Sequence, residues 1–136
     1  RGAQAIEKAQ CALCHRIGAA FQAGVVGPDL TGVGGRFNRA DLLTAILNPS
    51  AVIDDKYKQT VLTLKDGSSV SGAIEAETGG AIRLRTGMLG EVIQDIRAGD
   101  VSNRKPSVLS PMPEGLLDTL TEPEILSLLT YLETAR

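Results

Sequence analysis

The chain has 136 residues, 43% of them apolar and 22% charged, with a formal net charge of −2. That is one domain's worth of globular chain. It lacks the basic face that nucleic acid requires and the run of about 18 apolar residues that a membrane span requires. Aromatic residues make up only 3% and tryptophan is absent, so a core of Leu, Ile, Val and Ala under 15 glycines is thin unless a large flat group fills it.

The first predicted element is a short helix from about Ala3 to Cys14, with Ile6, Ala9 and Leu13 spaced for one face. The segment GAAFQAGVVGPDLTGVGGRF that follows is Gly-rich, contains a Gly-Pro turn and reads as loop. A second helix opens at the N-cap Asn38 with Asp41 three residues on, runs through Leu42, Leu43, Ile46 and Leu47, and stops before Pro49. From Tyr57 to about Arg104 the texture alternates between β-formers and polar residues, broken at KDG, TGG and GMLG. This predicts about four antiparallel strands joined by hairpins. Gly115–Leu120 suggests a short turn of helix. Thr121-Glu122-Pro123-Glu124 then forms a capping box with Pro in the first turn, ahead of Ile125, Leu128, Leu129 and Leu132. The expected organisation is a mainly α domain from residues 1–56 and 106–136, interrupted by a β-rich insertion at 57–105.

Both cysteines and the single histidine fall within CALCH, Cys11 to His15. Two cysteines this close cannot scaffold a domain of this size by disulfides. A thioredoxin-like dithiol also uses C-x-x-C, but after a strand in a βαβ pattern that is not found here. A zinc site needs four ligands, and the usual soft donors stop at Cys11, Cys14 and His15. Covalent attachment of one haem c has C-x-x-C-H as its specific signature. Two thiols about a helical turn apart reach the two vinyl groups on one porphyrin edge, and the next imidazole comes up beneath the iron as proximal ligand. The other ring nitrogen of His15 then needs a partner to fix its tautomer, and the Gly27-Pro28 turn offers the Pro28 carbonyl. With the core's aromatic bulk missing, the haem-free chain is expected to be largely unfolded.

Two methionines are candidates for the sixth ligand. Met88, in GMLG, reads as a hairpin tip or apolar filler. Met112, in SPMPEG, is pinned between Pro111 and Pro113, whose fixed torsions hold the thioether in a defined place. Met112 is therefore the expected distal ligand, with His15 the proximal one. Arg36, in GGRF, and Tyr57 are candidates for contact with the haem propionates, against simpler roles as a solvated loop residue and a strand residue.

CALCH near the start, GPDLTGVGGRF after it, SPMPEGL late and the closing EPEILSLLTYL together resemble the class I cytochromes c over roughly residues 1–56 and 106–136. The resemblance implies a fold of three to five short helices around haem c. It implies His15 and Met112 as axial ligands, Pro28 as the carbonyl partner of His15, and a crossing of the first and last helices near Gly2 or Ala3 against Leu128 and Tyr131. Cys14 and Met112 are 98 positions apart, more than a minimal domain of that class needs, and the β stretch accounts for the excess. ILNPSAVID, the Tyr-led strand region with KDG, and SVLSPMPEGLLD resemble a narrower group, the planctomycete and verrucomicrobial haem-binding domain. That domain usually closes a long secreted polypeptide, often behind a dehydrogenase-like β-propeller. The start at Arg1, almost on top of the motif and without a signal peptide, fits the expectation of a mature or excised piece of such a chain.

A six-coordinate His/Met iron has no open position for a substrate, so the expected role is one-electron carriage, not an enzyme in itself though suited to be a domain of an oxidoreductase. The expected partners are redox proteins, including a dehydrogenase domain of the same parent chain. The expected location is the periplasm or another extracytoplasmic compartment, where haem c is attached. The alternatives are a haem-based ligand sensor or peroxidase-like domain with a labile sixth ligand, and an interaction module in the β insertion with haem as a structural plug. From Lys56 to Lys105 there are eight basic and six acidic residues, against six and ten elsewhere. That sign difference suits partner orientation, or simple solvation.

Overall fold

The computed structural model describes residues 1–87 and 90–136, so Met88 lies outside the described residues. Among the described residues there are three α-helices and one five-stranded antiparallel sheet, which makes the chain mixed α/β rather than mainly α. No helix among them is long and apolar enough to cross a membrane. The chain divides into two compact units, Arg1–Val52 with Met112–Arg136, and Ile53–Pro111.

The first unit holds α1 (Gly2–Lys8), α2 (Arg39–Leu47) and α3 (Glu122–Thr134). Both longer helices begin as their sequences demand. Asn38 and Asp41 make a reciprocal capping box on α2; Thr121 and Glu124 make one on α3, with Pro in its first turn. Each satisfies backbone N–H groups that would otherwise be left without partners. The first helix is shorter than its periodicity suggests. It stops at Lys8 because Gln10 adopts a left-handed conformation (φ 64°), and Cys11–Leu13 follow as a separate 3₁₀ turn. The break rotates Leu13 off the buried face: Ile6 and Ala9 are buried, whereas Leu13 is 52% exposed. Gly115–Leu120 is a pair of turns, with Asp118 N–H donating to Gly115 and Leu120 N–H to Leu117, and not a helix.

α1 crosses α3 at Gly2, where a Cβ would lie 2.7 Å from Tyr131 Cβ and 2.8 Å from the Ser127 carbonyl oxygen. Only glycine permits that approach. Ion pairs at the surface tie the helices together, Lys8 to Glu124 at 3.1 Å and Arg39 Nε to Glu133 at 2.8 Å. Beneath them Ile6, Ile17, Leu128, Leu129 and Leu132 form an aliphatic core.

The second unit is the sheet: β1 (Thr60–Leu64), β2 (Ser69–Thr78), β3 (Ala81–Thr86), β4 (Val92–Arg97) and β5 (Val101–Pro106), in the order β4-β3-β2-β1-β5. Gly79 and Gly80, both at positive φ, make the two-residue turn between β2 and β3, as a tight hairpin requires. The fifth strand, VSNRKP, goes beyond the four or so expected, because it has no apolar alternation to reveal it. It pairs with β1. The chain therefore passes from one edge of the sheet to the other between Arg97 and Val101. In a flat sheet those edges would be about 19 Å apart, whereas four extended residues reach about 14 Å. The sheet must curl. A register shift in β2 between Ile74 and Ala76 provides the bend; the strand pairs with β1 before it and mainly with β3 after it. At the closing corner Ala98 N–H donates to Gly80, and the Asp100 carbonyl accepts from Lys65 N–H, both at 2.8 Å. Leu62, Ile82 and Leu84 fill the inside.

Candidate functional site

The site grows out of the break at Gln10. Because the chain leaves α1 there in a left-handed conformation, it re-enters a tight turn that places Cys11, Cys14 and His15 on one knot of backbone. Cys14 N–H donates to the Cys11 carbonyl at 3.2 Å and His15 N–H to the same carbonyl at 3.0 Å. Cys11 and His15 are buried and Cys14 is half-buried.

Burial sets the protonation of all three side chains. It pushes the Cys11 thiol up to about 11, helped by the neighbouring Cys14 and opposed by a backbone hydrogen bond. It raises Cys14 as well. An activated dithiol needs the opposite, a thiol lowered toward neutrality, so this pair is not poised for disulfide exchange. For His15, desolvation lowers the imidazole below its ordinary value and the Pro28 hydrogen bond offsets this only in part. The ring is therefore neutral at pH 7. A carbonyl can only accept, so the short 2.6 Å contact with Pro28 fixes the proton on Nδ1, which donates to the Pro28 oxygen. Nε2 keeps its lone pair for a metal.

Two glycines make the cradle. At Gly27 a Cβ would lie 2.7 Å from His15 Cε1 and 3.0 Å from Nδ1. At Gly24 it would lie 2.6 Å from His15 N and 2.7 Å from the Cys14 carbonyl carbon. The loop can lie flat against the ring and the turn only because both positions lack side chains. Gly27 N–H also donates to the Cys14 carbonyl at 2.8 Å, which closes the loop on the motif. In a Gly-rich segment these two residues look like ordinary turn formers, and no sequence signal separates them from their neighbours.

Met112 opens the second segment of this unit. It is half-buried and packs against the core cluster that includes Cys11. Just after it, a cleft of about 450 Å³ runs between the end of α2 and the following turn, walled by Ile46, Leu47, Leu116 and Leu117 and rimmed by Glu114 and Asp118. Arg36 is exposed, and its guanidinium donates to the carbonyl of Asp29 at 3.4 Å, beside the residue that holds His15. The Asp29 carboxylate is held below its ordinary range mainly by hydrogen bonds from Thr31, with Arg16 and Arg36 adding smaller attractions. Tyr57 belongs to the second unit, where the Lys56 ammonium lies 5.7 Å from its ring centroid.

Among the described residues, no three His, Cys, Asp or Glu side chains converge as ligands for a metal ion. The unit offers instead one neutral imidazole with a fixed tautomer, two thiols on the turn before it and one thioether in the adjoining core. That donor set fits a covalently attached haem. No protein-family model matches the sequence, and no curated protein matches it.

Proposed function

We propose that this chain is a one-electron carrier built on a single haem c, attached through Cys11 and Cys14 and ligated by His15 and Met112. The observation that carries the reading is the buried, neutral His15, its Nδ1–H committed to Pro28 while both cysteines stand on the turn just before it. On this reading the first unit is a cytochrome c fold and the sheet unit is inserted into it.

When bound, the group supplies an iron that gains and loses one electron, and a thioether ligand favours the ferrous state and raises the potential. The chain's own residues keep everything else still. His15 keeps its proton on Nδ1, because Pro28 gives that proton a fixed acceptor. Gly24 and Gly27 press the loop against the ring, so the imidazole cannot swing. The aliphatic core of Ile6, Leu128, Leu129 and Leu132 would keep water away from the group, and Met112, packed against that core, would hold the iron through its thioether. Arg36, whose guanidinium donates to the Asp29 carbonyl beside Pro28, would offer a cation to carboxylates of the group. Electron exchange calls for redox protein partners, with a dehydrogenase-like domain of a longer secreted parent chain as the first candidate. Thioether attachment places the protein outside the cytoplasm.

The test is the visible spectrum of the reduced protein before and after carbon monoxide. An unchanged low-spin spectrum is expected, since a firmly held thioether leaves no vacancy. A carbonyl complex would make Met112 labile and put ligand sensing or peroxidase-like chemistry first. Protein matured with a haem-attachment system yet carrying no covalent haem would overturn the reading.

A further inference from the structure

We infer that the end of α3 and the two residues beyond it form a clasp that positions His15 through the loop carrying Pro28; this inference rests on the haem reading above. Gly27 N–H donates to the Cys14 carbonyl, His15 Nδ1–H to Pro28, and Leu30 N–H to the Arg16 carbonyl, at 2.8, 2.6 and 2.8 Å. Gly18 N–H then donates to Thr31 Oγ1 at 2.8 Å. The two arms of the loop thus run side by side away from the motif. They end on two consecutive carbonyls of the C-terminal segment: Gly32 N–H donates to Ala135 at 3.0 Å and Ala19 N–H to Arg136 at 3.1 Å.

The fit at this end is as tight as at the ring. A Cβ on Gly34 would overlap the Glu133 carbonyl oxygen and come within 2.7 Å of its Cα. A Cβ on Gly18 would lie 3.0 Å from the Arg136 carbonyl oxygen. Phe21, on the same loop, meets Tyr131 of α3 edge-on at 5.9 Å between centroids. The loop is therefore held at His15 and at residues 131–136, with only three residues between Pro28 and Gly32. Displacing Gly32 draws on the Leu30 bond and then on Pro28, and a hydrogen bond weakens quickly with distance and angle.

The consequence reaches the metal. Donation from Nδ1–H to a carbonyl raises the basicity of the ligating nitrogen. A loosened Pro28 bond makes His15 a weaker donor, which disfavours the ferric state, so the reduction potential rises.

The experiment compares reduction potentials of the haem-loaded wild type, Gly34→Ala, Gly35→Ala and Gly27→Ala, with amide hydrogen exchange on the same samples. Gly27→Ala strikes the ring site directly and sets the direction of the shift. Gly34→Ala is expected to raise the potential the same way from the far end of the loop. Gly35→Ala, in the same turn with open space around it, is expected to leave the potential unchanged. Exchange at Gly27, Ala19 and Gly32 should speed up together in Gly34→Ala. A merely structural clasp would loosen Gly32 and Ala19 while Gly27 and the potential stay put, and that result overturns the inference. If Gly34→Ala does not fold, wild-type exchange decides: a Gly32 amide more than about tenfold less protected than Gly27 breaks the chain of coupling. Absence of covalent haem in the wild type would instead sink the functional reading, and the two failures are told apart by the spectrum alone.

Discussion

Replacing Leu128 by Ala tests whether the helical unit is as close-packed as its core implies. Leu128 is fully buried on α3 among Ile6, Leu129 and Leu132. Truncation to Ala removes about three methylene equivalents from an apolar site, roughly 2.4 kcal/mol of transfer free energy. The cavity left behind adds a further cost that depends on whether the walls can close. Here they cannot close by bringing α1 toward α3, because the crossing at Gly2 is already at contact with Tyr131 and Ser127. The cavity should therefore persist and carry the total to about 3–4 kcal/mol. Leu126, 46% exposed on the same helix, provides the control; its truncation should cost under about 1 kcal/mol. Urea unfolding followed by the helical circular dichroism signal gives both values. A Leu128→Ala loss below about 1.5 kcal/mol, or no larger than that of Leu126→Ala, would show that the helices can close the gap and that the crossing is not tight.

Thr121→Ala should cost about 1 kcal/mol by removing the acceptor for Glu124 N–H at the start of α3, read as a shift in urea midpoint. Glu124 itself is held below its ordinary value, first by the Thr121 N–H and then by Lys8. Its stabilising contribution is therefore fully present above the usual carboxylate range near 4.5 and disappears as pH falls through the depressed folded value. Wild type should accordingly outlast Glu124→Gln at pH 7 and lose that advantage as pH falls through the depressed folded value; a gap that does not change with pH would refute the assignment. In the haem-free Cys11→Ala, Cys14→Ala double variant, the helical signal should fall while strand signal remains, because the sheet has its own core in Leu62, Ile82 and Leu84. Intact helical dichroism without haem would contradict the proposal that the first unit needs haem to complete its core.

What the sequence reveals follows how local the determinant is. α2 and α3 announce themselves through capping boxes, and the β2–β3 hairpin through Gly-Gly, since both signals act within four residues. The break at Gln10 is silent, because a glutamine in a left-handed conformation leaves no mark on hydrophobic periodicity; periodicity alone therefore extends α1 to Cys14 and puts Leu13 on the buried face, whereas the chain turns at Gln10. β5 is silent for a different reason. Its place is dictated by the reach of the chain from β4 around a curled sheet, a constraint that no six-residue window contains. The site divides in the same way. CALCH is legible as a motif, and the Gly27-Pro28 turn as a carbonyl on offer. That Gly24 and Gly27 are there to let the loop touch His15, and that Ala135 and Arg136 close the loop's other end, becomes visible only when distant segments meet.

The thiols bear on the order in which the helical unit closes. Burial raises both, Cys11 to about 11, so in the closed structure each is a neutral S–H and Cys11 is sealed in the core. A nucleophilic thiol must be a thiolate with access to its target, and Cys11, buried in the helical core, meets neither condition in the closed structure. On the haem reading, thioether formation therefore has to come before that core closes, while the 3₁₀ turn is still open to solvent. The group is then part of what the helices close upon. On the same reading, a first unit whose buried residues apart from Cys11 and His15 are Ala, Ile, Val and Leu, with Phe21 and Tyr131 only at its margin, would obtain its missing bulk from the attached group.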